Sequence, residues 1–403
     1  MNIIEYVATS QESFAERPLG EADSLVLCQI AYMHLHPCEG AELSRLFELC
    51  QSDLDEVCAV QRERNELLLR ALAESDRFGS VRLLEQRTVF DVQRSCQFSA
   101  TLFGVGDVVY LACRGTDGTL VGWKENLDLM YKEDTAAQSH ALEWLDSLNW
   151  AQRIVVGGHS KGGNIALYAA AFCRPDIQSR IEAVYNHDGP GFMPAVLLRD
   201  GYRTIVPRVH KTVPEMCVFG HILSDGLTYE VIKADSGGIY QHLSFNWQVM
   251  SDGTFVRGKG LTVRSQILRE ICNTAVPAMT MEERQIFVTT IYEALRHAEV
   301  NRVGEIASMK SIGKVLQYNR TLPKPLRATV GKCVRLFLSA AVDSSFNATE
   351  EHIGATRNEW RARRQERKKS TAEGDRLSAE SPVLIEQAAA DDAVDTDGDG
   401  GDQ

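Results

Sequence analysis

Residues 153–173, RIVVGGHSKGGNIALYAAAFC, constrain the fold more than any other stretch of the chain. A short run of β-branched residues ends in two glycines, presents one serine, and passes at once into an alanine-rich segment. A strand that is apolar at successive positions, not alternate ones, belongs in a sheet covered on both faces. The segment 164–173 predicts a helix. A second apolar run, IEAVYNHDGPGF at 181–192, predicts the next strand, ended by a Gly-Pro turn. Strand, helix, strand in this order is a βαβ unit of a parallel sheet.

The flanking sequence extends this α/β unit. Residues 21–35, 42–50 and 54–75 have helical apolar spacing, so the chain to about residue 80 reads as mostly helical. The stretch 97–118 alternates over two runs around Gly-Val-Gly-Asp and predicts a β-hairpin. Residues 140–149 predict an amphipathic helix, and RTIVPRV, PEMCVFGHI and TYEVIKA predict further strands. From about 262 to 348 the pattern is helical, and from about 355 the apolar period is lost. The expected organisation is a helical N-terminal part over 1–80, a sheet-containing core over 81–260, a C-terminal helical region over 261–350, and a disordered charged tail over 351–403.

Composition excludes several classes of function. The formal net charge of -12 argues against nucleic-acid binding. The basic run at 361–369 reads as a solvated tail. The ten cysteines form no CxxC pair and sit in apolar runs, as buried free thiols do. The first residues, MNIIEYVATSQESF, lack the basic and apolar regions of a secretion signal, and no apolar run is long enough for an integral membrane segment. A cytoplasmic protein is expected. DTDGDG at 395–400 has the opening of a calcium loop without the acid needed at position 12, so no metal is expected there.

Gly158-His159-Ser160-Lys161-Gly162 fits G-x-S-x-G in the context that pattern requires, after a strand and before a helix. There the serine stands on a sharp turn as a nucleophile, and the amide of the next residue, Lys161, supplies an oxyanion donor. The same residues also suit a plain tight turn. Upstream, CRGTDG leaves a predicted strand at the place for a second oxyanion donor, and Thr116 offers both an N–H and a hydroxyl. The base must follow the serine in the chain. His242, in GGIYQHLSFNW, lies in a loop after the last predicted strand, where Gly237 and Gly238 give freedom and Phe245 and Trp247 give packing; His221 is the second choice. For the acid, Asp188 ends the strand after the serine, although an Asp before Gly-Pro also suits an ordinary turn. Asp225, Glu230 and Asp235 remain alternatives.

Four segments in this order, RGTDGTLVGWKENLDLMY, VVGGHSKGGNIALYAA, YNHDGPGF and GGIYQHLSFNWQV, resemble a bacterial Mbeg-like family of α/β-hydrolase proteins, itself similar to class 3 lipases. The resemblance covers residues 1 to about 350. It implies an α/β-hydrolase-like, mostly parallel sheet with flanking helices and helical N-terminal and C-terminal additions. It also implies an esterase or lipase-like activity with Ser160 as nucleophile, Thr116 in an oxyanion role, and a small-molecule ester, lipid or acyl, as substrate. Peripheral lipid contact is compatible with this, and neither cofactor nor metal is required. One departure stands out: class 3 lipases carry the triad Asp just before a Val-Pro, where this chain has Thr212. The acid must then lie at Asp188 or in 225–235, or be absent. In the last case the chain is a catalytically inactive binding or regulatory module.

Overall fold

A computed structural model describes residues 1–59, 61–300, 314 and 317–344. The basic run at 361–369, the DTDGDG segment and the expected disordered tail lie outside the described residues. Seven strands form one sheet: β1 (Arg82–Asp91), β2 (Cys96–Val105), β3 (Val108–Cys113), β4 (Arg153–His159), β5 (Ile181–His187), β6 (Val209–Pro214) and β7 (Glu230–Ile232). Their order across the sheet is their order in the chain. β1, β2 and β3 are antiparallel neighbours, and from β3 to β7 every pairing is parallel. The fold is thus α/β with a mostly parallel sheet.

Alternation along the strands divides the interior into two layers. Tyr110, Ala112, Val155 and Tyr185 face a core shared with the N-terminal helices, whose centre is the helix Glu21–Ile30, buried at every residue after Glu21. Leu111, Cys113, Ile154, Val156 and Val184 face the opposite core, with Ala137, Trp144 and the helix Lys161–Phe172. Both faces of β4 are covered, which is why its sequence is apolar without alternation. Buried Arg77 and Asp23, 2.7 Å apart, are tied to Tyr6 at 2.7 Å and anchor the N-terminal helices to one another.

Several sequence expectations need correction. β1 was not anticipated. Its sequence, RLLEQRTVFD, mixes charged and apolar residues as an edge strand does. The single helix expected over 54–75 is two, Leu54–Val57 and Arg62–Ala73, separated at Gln61, whose φ of 52° is left-handed. Of RTIVPRV only the last residue is strand: Arg203–Ile205 end the helix Asp200–Ile205, Val206–Arg208 form a 3-10 turn, and Val209 opens β6. Proline removes the N–H a central strand needs, which moves the strand downstream. PEMCVFGHI is a loop with a 3-10 turn at Phe219–His221 once β6 ends.

Register sets the position of everything functional. Cys113 pairs with Gly158, His159 with His187, and His187 with Thr212. The ends of β3, β4, β5 and β6 therefore line up, and the residues just beyond them converge at one edge. In open α/β sheets, ligands bind at this carboxyl end of the strands.

Candidate active site

Ser160 follows β4 with φ 59° and ψ -132°, a strained conformation for a residue with a side chain. Packing enforces it. A Cβ on Gly158 would stand 2.1 Å from the Gly162 carbonyl carbon, and a Cβ on Gly162 would stand 2.0 Å from the Cys113 oxygen. Both positions of the pentapeptide are glycine because backbone passes backbone there. The Ser160 N–H donates to the His187 oxygen at 2.8 Å, which fastens the turn to β5. The helix Lys161–Phe172 starts at the next residue, so the Lys161 N–H lacks an i−4 partner within it.

Asp188 is the residue after β5, fully buried, with a left-handed φ of 54°. Its Oδ2 accepts from His242 Nδ1 at 2.6 Å. Its Oδ1 accepts from the Cys217 thiol at 2.9 Å and from the Gly220 N–H at 3.1 Å. Burial opposes the charge of this carboxyl, but the bonds from His242 and Cys217 outweigh it and hold the group below its ordinary value. With Nδ1 donating to Asp188, the neutral His242 ring presents Nε2 as an acceptor.

The loop that carries His242 is braced on several sides. His242 ends the 3-10 turn Gly238–His242. The Gln241 carbonyl accepts from Trp247 Nε1 at 2.8 Å, and Gln241 Oε1 accepts from the Met216 N–H at 2.7 Å. Ser244 donates to Gln29 of the buried helix. Phe245 and Trp247 are buried, and only Gly238 of the two glycines takes a left-handed φ, 61°.

His159, immediately before the serine, has a place that its motif position did not reveal. Its Nε2 donates to the His242 carbonyl at 2.7 Å, and its Nδ1 accepts from the Tyr32 hydroxyl at 3.1 Å. Burial, then the nearby His242, pushes its pKa down to about 3, so the ring stays neutral. The His159 and His242 rings lie 4.6 Å apart, and Phe219 packs against His242 at 4.3 Å. Trp123 packs edge-on to Phe219 at 5.5 Å.

Ser160, His242, His159, Thr116, Asn126, Tyr32, Gln61, Trp123 and Phe219 share the wall of a cavity of about 180 Å³. Ser160 and His242 make no hydrogen bond to each other here; such contacts often tighten only with substrate bound. Thr116 Oγ1 accepts from Asn126 Nδ2 at 2.8 Å, which leaves its hydroxyl proton for another acceptor. The Lys161 side chain turns away. Its buried Nζ donates to Glu125 Oε2 at 2.6 Å and to the Gln97 carbonyl. This pair ties the turn at Ser160 to the GWKEN segment. Among the described residues, no group of three His, Cys, Asp or Glu side chains could hold a metal ion.

The structure separates the other candidate acids from His242. Asp225 is buried against Lys211 Nζ, Glu230 is paired with Arg257 at the surface, and Asp235 accepts from Gln248. Thr212 bonds His187 Nδ1 at 2.9 Å, and its carbonyl accepts from the Asp188 N–H at 2.8 Å. His221 packs on Tyr229 at 5.2 Å, outside the cavity wall. Tyr32, His159, Cys217 and Phe219 were not foreseen. Only His159 had a signal, its adjacency to Ser160; the rest depend on tertiary placement.

The Mbeg1-like family model matches residues 72–293, more than half of the chain. No curated protein matches it. Among solved structures, M37 lipase has a TM-score of 0.33 and 13% identity, covering 50% of this chain and 69% of that one. Lipase II from Rhizopus niveus has a TM-score of 0.29 and 17% identity, covering 41% and 69%. A Rhizomucor miehei lipase–propeptide complex has a TM-score of 0.30 and 14% identity, covering 52% and 67%. Among the described residues, no helix is long and apolar enough to cross a membrane.

Proposed function

We propose that this chain, which belongs to the Mbeg1-like family, is a serine hydrolase that cleaves a carboxylic ester of a lipid or other acyl compound. The observation that carries the reading is the 2.6 Å bond from His242 Nδ1 to buried Asp188, beside a serine held on a strained elbow in the same cavity. Ser160 Oγ attacks the ester carbonyl while His242 Nε2 takes its proton. Asp188 fixes the tautomer and balances the imidazolium that forms. The N–H groups of Lys161 and Thr116, with the Thr116 hydroxyl, receive the oxyanion, at about 3 kcal/mol per donor. The alcohol leaves with the proton from His242, and water then releases the acyl group by the same relay. The buried free thiols suit a reducing compartment such as the cytoplasm.

The test is hydrolysis of p-nitrophenyl esters of increasing acyl length by wild type and Ser160→Ala. The expected result is turnover by wild type and a loss on the order of 10⁶-fold in kcat for the variant. Folded wild-type protein that turns over none of the esters, or an equally active Ser160→Ala, would count against the proposal.

A further inference from the structure

The segment from Tyr32 to Gln61 has both its ends in the cavity wall, and three cysteines lie between them. Cys38 ends the 3-10 turn His36–Cys38, and Cys50 ends the helix Leu46–Cys50. Their sulfurs are 3.3 Å apart, and each residue is only 3% exposed. Cys58 is fully buried. No third ligand completes a metal site with them, among the described residues. Two thiols in direct contact, twelve residues apart in sequence and slightly exposed, make a built pair.

We propose that Cys38 and Cys50 are a dithiol modification site, converted to an intramolecular disulfide by hydrogen peroxide. The reaction has two steps. The Cys38 thiolate attacks one peroxide oxygen; an S–O bond forms, the O–O bond breaks, and the departing hydroxide takes up the thiol proton as water. Cys50 Sγ then attacks the Cys38 sulfenic acid; the S–S bond forms, the S–O bond breaks, and the leaving hydroxide takes the Cys50 proton as a second water. Two thiols are oxidised and one peroxide is reduced to two waters.

Three features favour this pair. The two sulfurs share one hydrogen bond, and the contact with Cys50 lowers the Cys38 pKa and favours its thiolate, the reactive form. Cys58, by contrast, has its pKa pushed up to about 11 by burial, which keeps it a thiol. The sulfurs must close from 3.3 Å to about 2 Å, the length of an S–S bond. The slight exposure admits a peroxide more readily than a bulky disulfide. The product closes a covalent loop inside the segment that bears Tyr32 and Gln61.

The test is peroxide titration of the folded full chain, alkylation of remaining thiols, and mass mapping of the unreduced digest. The expected product has lost two hydrogens, joins Cys38 to Cys50 before any other cysteine reacts, reverts with dithiothreitol and melts at a higher temperature. Cys58→Ser should form the same bond; Cys38→Ser should leave Cys50 as a thiol. A Cys50–Cys58 bond would overturn the proposal, as would Cys38 and Cys50 still alkylated separately after other cysteines are oxidised. The readout is a mass in wild type, so it stands apart from any hydrolase assay and from the folding of a variant.

Discussion

Asp188 receives His242 Nδ1 on one carboxylate oxygen, at 2.6 Å, and the Cys217 thiol with the Gly220 N–H on the other. Asp188→Asn keeps the shape but removes the acceptor that fixes the histidine tautomer. The expected result is a loss of about 10⁴-fold in kcat with little change in fold, measured by ester hydrolysis and circular dichroism. Asp225→Asn is the contrast. It removes the counter-charge from buried Lys211, which keeps the Gly220 carbonyl, and should cost roughly 3 kcal/mol in denaturant unfolding, while the protein that remains folded keeps its kcat. The reverse pattern would move the acid to Asp225.

Gly158 and Gly237 should respond to alanine in opposite ways. A Cβ on Gly158 meets backbone at 2.1 Å, whereas nothing lies within 4 Å of one on Gly237. Gly158→Ala should abolish soluble folded protein or lower its melting point sharply. Gly237→Ala should melt within a few degrees of wild type. Thermal unfolding of the two side by side decides it.

Lys161 and Glu125 form a buried pair at 2.6 Å, both side chains 2% exposed. Burial pulls the Lys161 pKa down, and the Glu125 carboxylate opposes this. Lys161→Met leaves Glu125 buried without its cation, held by the Gln97 and Ala137 N–H groups alone, and should destabilise by roughly 3 kcal/mol. The Lys161→Met/Glu125→Leu double variant should be more stable than the sum of the single losses predicts. A double-mutant cycle from urea unfolding measures the coupling; additive losses would remove the pair from the account.

Acid should destabilise the protein partly through His159. Its pKa is about 3 in the fold and 6.5 ordinarily, so below pH 6.5 the unfolded chain binds a proton that the folded chain refuses. Stability therefore falls as pH drops from 6.5 towards 3. His159→Gln removes that proton, and its unfolding free energy should fall less steeply, by up to about 1.4 kcal/mol per pH unit. Parallel curves for the two proteins would contradict the buried neutral imidazole.

What the sequence revealed depended on range. The strand–serine–helix stretch is local, and its glycines report backbone contacts directly, so the tight turn at Ser160 and the parallel sheet around it were legible. Chain order then led to His242 and Asp188, which meet in the structure. RTIVPRV misled because a β-branched run outweighed its proline; the helix ended there and β6 began later. β1 lacked alternation clear enough to find. Tyr32 and Phe219 reach the site from segments 128 and 59 residues away from Ser160, by folding alone, and no local pattern marks them. The lysine after the serine became intelligible only with Glu125 opposite it.

The most direct measurement is labelling of the purified protein with a fluorophosphonate probe, in wild type, Ser160→Ala and His242→Ala. The account predicts one covalent adduct, on Ser160, in wild type and none in either variant, with all three proteins folded. Folded wild type that takes no label, or a His242→Ala protein that labels as fast as wild type, would contradict an activated serine at this site.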